Sequence, residues 1–155
     1  MEFTIPEALK SLATAGAAIR ELAAWGRRAK GDARALIGEL KDNMAYLDMV
    51  AEDGVPLAEV IDKLAVTEYT RLARAGFSFN ALKRERISRY ASLEGTDLSS
   101  WTGKETESLV ESIYEKLRDL KIRYPHVAKN GKYLWQVRVN NIRKRIWLLL
   151  RHVRD

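Results

Sequence analysis

Apolar and small residues recur in alternating steps of three and four along the first third of the chain. Leu9, Leu12, Gly16, Ile19, Ala23, Gly26, Lys30, Ala33, Ile37, Leu40, Met44, Leu47 and Ala51 follow that rule. Such spacing puts one stripe on one side of a helix and leaves no strand periodicity. It predicts helix from about Pro6 to Glu52, with Pro6 in the first turn after Thr4. The weak stretch is Gly26 to Asp32, which holds two glycines and the in-register Lys30. Each glycine costs about 1 kcal/mol against alanine in a helix interior. The segment therefore reads either as one kinked helix or as two helices, with Asp32 capping the second.

The two parts of this stripe differ. Ala13, Ala15, Gly16, Ala17, Ala18, Ala23 and Ala24 are small and permit close approach of another helix. That face suits packing within a bundle or self-association. From Ile37 onward the stripe is bulky, as in a core helix.

Further along, Asp53-Gly54 ends the first segment and Pro56 opens a second helix. Its buried face is expected to carry Leu57, Val60, Ile61, Leu64, Leu72 and Ala75, with Gly76 as its C-terminal cap. Phe77 and Phe79 are expected to plug the end of the core. Residues 80–90 read as a short basic helix and 91–101 as a loop. Thr102 and Glu105 have capping-box spacing ahead of Leu109, Val110, Ile113, Leu117 and Leu120. Pro125 is expected to end that helix, and Asn130-Gly131 to form a turn. A last helix from about Tyr133 to Val153 would bury Trp135, Val139, Ile142, Ile146, Leu149 and Val153. The expectation is an all-α bundle in a single domain spanning 1–155, since each amphipathic face needs a partner.

Charge is distributed unevenly. Residues 1–55 carry seven bases and nine acids, whereas 101–155 carry thirteen and six. Leu120 to Arg154 holds ten Lys or Arg, two His, two Tyr and two Trp, and no acid. An acid-free basic stretch points to an anionic partner, nucleic acid first. The acidic first part could instead attract the basic last part, within one molecule or between copies. Cysteine is absent, which excludes disulfides and thiol chemistry and suits a reducing, cytoplasmic setting. The N-terminus does not read as a signal peptide, and no apolar run approaches the ~20 residues of a membrane span.

On the last helix, Arg138, Asn141, Arg145 and His152 fall on one stripe beside the apolar face. Arg143, Lys144, Arg151 and Arg154 are placed on the outer side, and Trp147 also points outward. Three readings stay open. The basic side chains solvate the rim of a buried helix. Or Arg138, Arg143, Lys144, Arg145, Arg151 and Arg154 supply phosphate contacts, with exposed aromatics stacking bases. Or the stripe is catalytic. In that last reading Arg145 and His152, with six residues between them, resemble the Arg-x4–6-His element of HEPN-family ribonucleases, which are also helical bundles. The resemblance covers eight residues. It implies metal-independent RNA cleavage at a dimer interface, with His152 as acid/base and Arg145 stabilising phosphate charge. The family usually has a polar residue after the Arg, and this chain has Ile146.

Other chemistry finds no motif. Gly103-Lys104-Glu105 lacks the rest of a phosphate-binding loop, no HExxH spacing is present, and no cofactor fingerprint is found. Ser99 and Ser100 lack a neighbouring base. His126 reads as solvent-facing. Glu107, Glu111 and Glu115 form an acidic strip able to dock a basic helix. Trp25, Trp101 and Trp147 are candidate surface anchors for a partner protein. The expected function is a non-enzymatic binding module for an anionic partner, with a self-associating interaction module and a HEPN-like ribonuclease as alternatives.

Overall fold

The structure, a computed structural model, describes residues 4–155. Among them are six α-helices and no strand: α1 (Ala17–Arg28), α2 (Gly31–Glu52), α3 (Leu57–Val60), α4 (Thr67–Arg74), α5 (Thr106–Val127) and α6 (Trp135–Arg154). Short 3-10 turns occur at Glu7–Leu9, Phe79–Leu82, Ala91–Leu93, Ser99–Trp101 and Gly131–Tyr133. The fold is all-α, with a long N-terminal helical segment and a basic C-terminal helix.

The N-terminal stripe is two helices. Helix begins at Ala17 rather than Pro6, because Gly16 at φ 72° breaks the chain direction just before it. Ala29 and Lys30 are extended, and Gly31 at φ 56° starts α2. The α2 N-cap is Lys30; Asp32 makes no cap and instead pairs with Arg71 at 3.4 Å. The break also shifts the register of α1, which buries Ala18, Leu22 and Trp25 rather than Gly16 and Ala23. α2 keeps the expected face, burying Ile37, Leu40, Met44 and Leu47. Gly26 faces α2: a Cβ there would make an ordinary contact, 3.6 Å from Ile37 Cγ2. α1 packs along α2.

The segment after Pro56 is two short helices, joined at Ala65. Asn43 on α2 is fully buried and holds that joint. Its Nδ2 donates to Ala65 O and its Oδ1 accepts from Ala65 N–H, both at 2.8 Å. One turn earlier, Glu39 accepts from the N–H groups of Glu68 (2.7 Å) and Tyr69 (3.2 Å), capping α4 from another helix. Gly76 at φ 78° caps its far end, with Gly76 N–H on Ala73 O and Phe77 N–H on Leu72 O. Ala75 is exposed; Phe79 is buried and Phe77 half-buried against it.

Three local expectations differ from what is observed. Residues 83–90 are not helical, because Ile87 exchanges backbone hydrogen bonds with Lys104 and Gly103. α5 is not capped by Thr102. Asn80 reaches over from the preceding 3-10 turn and accepts from Glu107 N–H at 2.9 Å, while donating to Glu105 at 2.8 Å. Pro125 lies inside α5, near its end, where the helix continues to Val127.

α6 is the central helix. Val139, Ile142, Ile146, Trp147, Leu148, Leu149 and Leu150 are all at most 4% exposed. It packs on α5, α2 and α1. Trp147 (1%), Trp25 (7%) and Trp101 (8%) belong to the core, not to the surface. A helix whose two sides are both apolar is covered on both, and Leu148-Leu149-Leu150 marks such a helix.

Leu134 starts α6 in the left-handed region (φ 46°, ψ 63°) and is 55% exposed. A side chain there costs roughly 1–2 kcal/mol, against which glycine's looser unfolded chain sets a smaller penalty. Leu134→Gly should raise stability by about 0.5–1 kcal/mol. A urea midpoint below wild type would refute the strain.

Candidate nucleic-acid interface

The basic residues of α6 meet acids of the same chain. Arg143 is only 3% exposed, so its expected place on the outer side is corrected. Its Nε pairs with Asp48 at 2.9 Å, its Nη2 with Glu52 at 2.7 Å, and its Nη1 donates to Asn140 Oδ1 at 2.9 Å. Its guanidinium also lies over the Trp147 ring. Lys144 pairs with Asp97 at 3.0 Å and Arg151 with Asp155 at 2.8 Å. Arg154 lies 4.0 Å from Glu21, and Arg138 pairs with Asp119 at 3.1 Å. Asp48, Glu52 and Glu21 all come from the acidic first part, so part of the charge asymmetry is matched within the molecule. The Glu107–Glu115 strip takes none of these pairs.

His152 is 2% exposed. Its Nε2 is 2.8 Å from Thr106 Oγ1, which lies 2.6 Å from Lys83 O. A hydroxyl has one proton, and the shorter contact to a carbonyl requires it; Nε2–H must then donate to Thr106. Burial, then the charge of Lys83, lower the His152 pKa below its usual value. The imidazole is enclosed by the fold and ties α6 to the start of α5. Arg145 is half-buried and donates from Nη1 to Asn141 O at 2.9 Å.

Arg154 is exposed at the far end of α6, but most exposed residues of the acid-free stretch lie at the α5–α6 elbow. Ile122, Arg123, His126, Lys129, Lys132 and Leu134 are exposed there. The elbow is built by local bonds. Trp135 Nε1 donates to Ala128 O at 2.8 Å, Arg138 Nε to Tyr133 O at 2.8 Å, and Lys132 N–H to Asn130 Oδ1 at 3.1 Å. Tyr133 stacks on Trp135 with centroids 5.1 Å apart, and Tyr124 meets Trp135 edge-on. Three cations approach the Tyr133 ring: Lys132 at 5.1 Å, Arg138 at 5.2 Å and Arg123 at 5.8 Å. Asp119 neutralises part of this by accepting from both Arg123 and Arg138. His126, Lys129 and Lys132 form no ion pair among the described residues.

Of the six arginines and lysines singled out on the last helix, only Arg138 reaches this elbow. Arg123, Lys129, Lys132 and Tyr133 were missed, although the acid-free run from Leu120 contains them. A second basic surface lies at the turn between α1 and α2, where Arg27, Arg28, Lys30 and Arg34 are exposed. It is at the other end of the bundle: the end of α2 flanks the start of α6, and Glu21 of α1 meets Arg154.

Among the described residues, no group of His, Asp or Glu side chains is arranged to hold a metal ion, and no helix is long and apolar enough to cross a membrane. Fold and site together define a helical bundle with a cationic, aromatic-lined end. Comparisons with protein-family models, with curated proteins and with solved structures found no match.

Proposed function

We propose that this protein is a small non-enzymatic binding module whose basic C-terminal region contacts an anionic partner, single-stranded nucleic acid first, through the α5–α6 elbow. One observation carries this reading: a half-buried, stacked Tyr133–Trp135 pair with Arg123, Lys132 and Arg138 around the Tyr133 ring, at a turn whose Lys129, Lys132 and Leu134 are exposed. Aromatic faces with cations beside them bind single strands without needing a sequence, by stacking bases and neutralising phosphates. The exposed Lys129 and Lys132 extend the cationic surface around the turn.

The test compares equal charge changes at the two ends of the bundle. Arg123→Glu, Lys129→Glu and Lys132→Glu together should weaken binding of a labelled single-stranded oligonucleotide about 10–100-fold at 0.1 M salt. The same change should flatten its salt dependence by roughly two in log–log slope. Arg27→Glu, Arg28→Glu and Lys30→Glu should leave affinity within about threefold of wild type. Equal loss from both triples would reduce the effect to net charge and overturn the elbow assignment. Absence of wild-type binding would overturn the function itself.

A further inference from the structure

Asp119 is the last acid before the acid-free stretch, and the fold sets it between two of that stretch's arginines. Its Oδ1 accepts from Arg123 Nε at 2.7 Å and its Oδ2 from Arg138 Nη1 at 3.1 Å. One carboxylate thus bridges guanidiniums from two helices, α5 and α6. Both guanidiniums also lie beside the Tyr133 ring. Arg138 has a further anchor, since its Nε donates to Tyr133 O at 2.8 Å. Asp119 and Tyr133 line the groove between α5 and α6, and they also line the neighbouring groove beside Ile122, Arg123 and His126. A strand running from one groove to the other would pass over both residues.

Two arginines converging on one small anion suit a phosphate as well as a carboxylate, because guanidinium N–H groups match paired charged oxygens. A phosphodiester, like a carboxylate, carries two charged oxygens on one centre. Asp119 and Arg138 are 39% exposed and Arg123 48%, so water screens both pairs. Pairs this exposed contribute little to stability and exchange readily for another anion. We infer that Asp119 is an internal stand-in for the ligand: its carboxylate occupies the seat of one backbone phosphate between Arg123 and Arg138, and a single strand binds by displacing it. The inference rests on the elbow's reading as a nucleic-acid site. It adds where one phosphate sits and what fills that seat in the free protein. Displacement offsets part of what the two arginines contribute, so Asp119 limits how tightly the elbow binds.

The experiment measures the affinity of the full chain for a labelled single-stranded oligonucleotide at roughly 0.1 M salt. It compares wild type, Asp119→Ala, Arg123→Gln and the double variant. Alanine suits a helix and the lost pairs are exposed, so Asp119→Ala should fold and melt near wild type. It should bind about tenfold more tightly than wild type. Asp42 is exposed on α2 and forms no ion pair among the described residues. Asp42→Ala changes net charge equally, and it should gain less than about threefold. With Arg123→Gln already in place, the gain from Asp119→Ala should fall to about threefold, since one of the two freed guanidiniums is gone. A gain no larger than that of Asp42→Ala, or one that persists in full without Arg123, overturns the displacement and leaves binding at the elbow standing. Absence of binding by both wild type and Asp119→Ala overturns the elbow reading, and this inference with it.

Discussion

Arg143→Met should lower the melting temperature by about 10 °C, the largest effect of any single change at a charged residue of α6. The arginine is 3% exposed and its main partner, Asp48, is itself mostly buried. Truncating one member of a buried ion pair strands the other, which costs about 3–5 kcal/mol. In a chain of this length each kcal/mol moves the midpoint by about 2–4 °C. The Glu52 contact adds little, since that side chain is 58% exposed. Methionine keeps the volume and the contact with Trp147, so a drop reports the charge and not a cavity.

The pH dependence gives a second readout. Burial raises the Asp48 pKa above its ordinary value even with Arg143 beside it. A carboxyl whose folded pKa is raised binds protons more tightly when folded, so its contribution grows as pH falls through that pKa. Without Arg143 the pKa rises further. The variant's deficit should therefore shrink between pH 7 and pH 5, and adding Asp48→Asn should recover part of it at pH 7. A deficit that is constant with pH, or a midpoint within 2 °C of wild type at pH 7, would mean Asp48 is not left stranded.

Much of the fold is legible in the chain because helix faces are written locally. The stripe of α2, the apolar face of α5, the Gly76 cap and the Asn130-Gly131 turn follow from neighbours a few residues apart. What escapes is what the chain arranges between distant segments. The caps of α4 and α5 come from Glu39 and Asn80, which lie 29 and 27 residues away from the N–H groups they satisfy. Neither is a Ser, Thr or Asp close in sequence to the helix it caps, and the local capping-box spacing points to Thr102 instead. The heptad run through Gly31 concealed a register change, because small residues at both phases fit either one. The site was half legible for a related reason. An acid-free basic stretch raises the expectation of an anionic partner, but it does not say which bases the fold will pair internally. α6 lies at the centre, so Arg143 and Lys144 meet acids from other segments, and most of the stretch's exposed cations are left at the elbow.

Asn43→Ala should cost about 3–4 kcal/mol, comparable with Arg143→Met although no charge is involved. The side chain is fully buried and forms two hydrogen bonds to one residue, Ala65. Its loss leaves both the N–H and the C=O of Ala65 unpaired at the joint between α3 and α4, at about 1–3 kcal/mol each. Water entering the space left by the amide offsets part of that. Asn43→Asp separates packing from bonding, since it keeps the shape but presents an acceptor to the Ala65 carbonyl. It should destabilise the protein at pH 7 nearly as much as alanine, and less at low pH, where the protonated acid can donate again. Neither change touches the elbow. Below their melting temperatures both variants should bind an oligonucleotide as wild type does, whereas the elbow triple should melt normally and bind poorly. If Asn43→Ala instead weakened binding in the folded protein, the joint between α3 and α4 would have to shape the binding surface. An elbow acting alone would then be the wrong description.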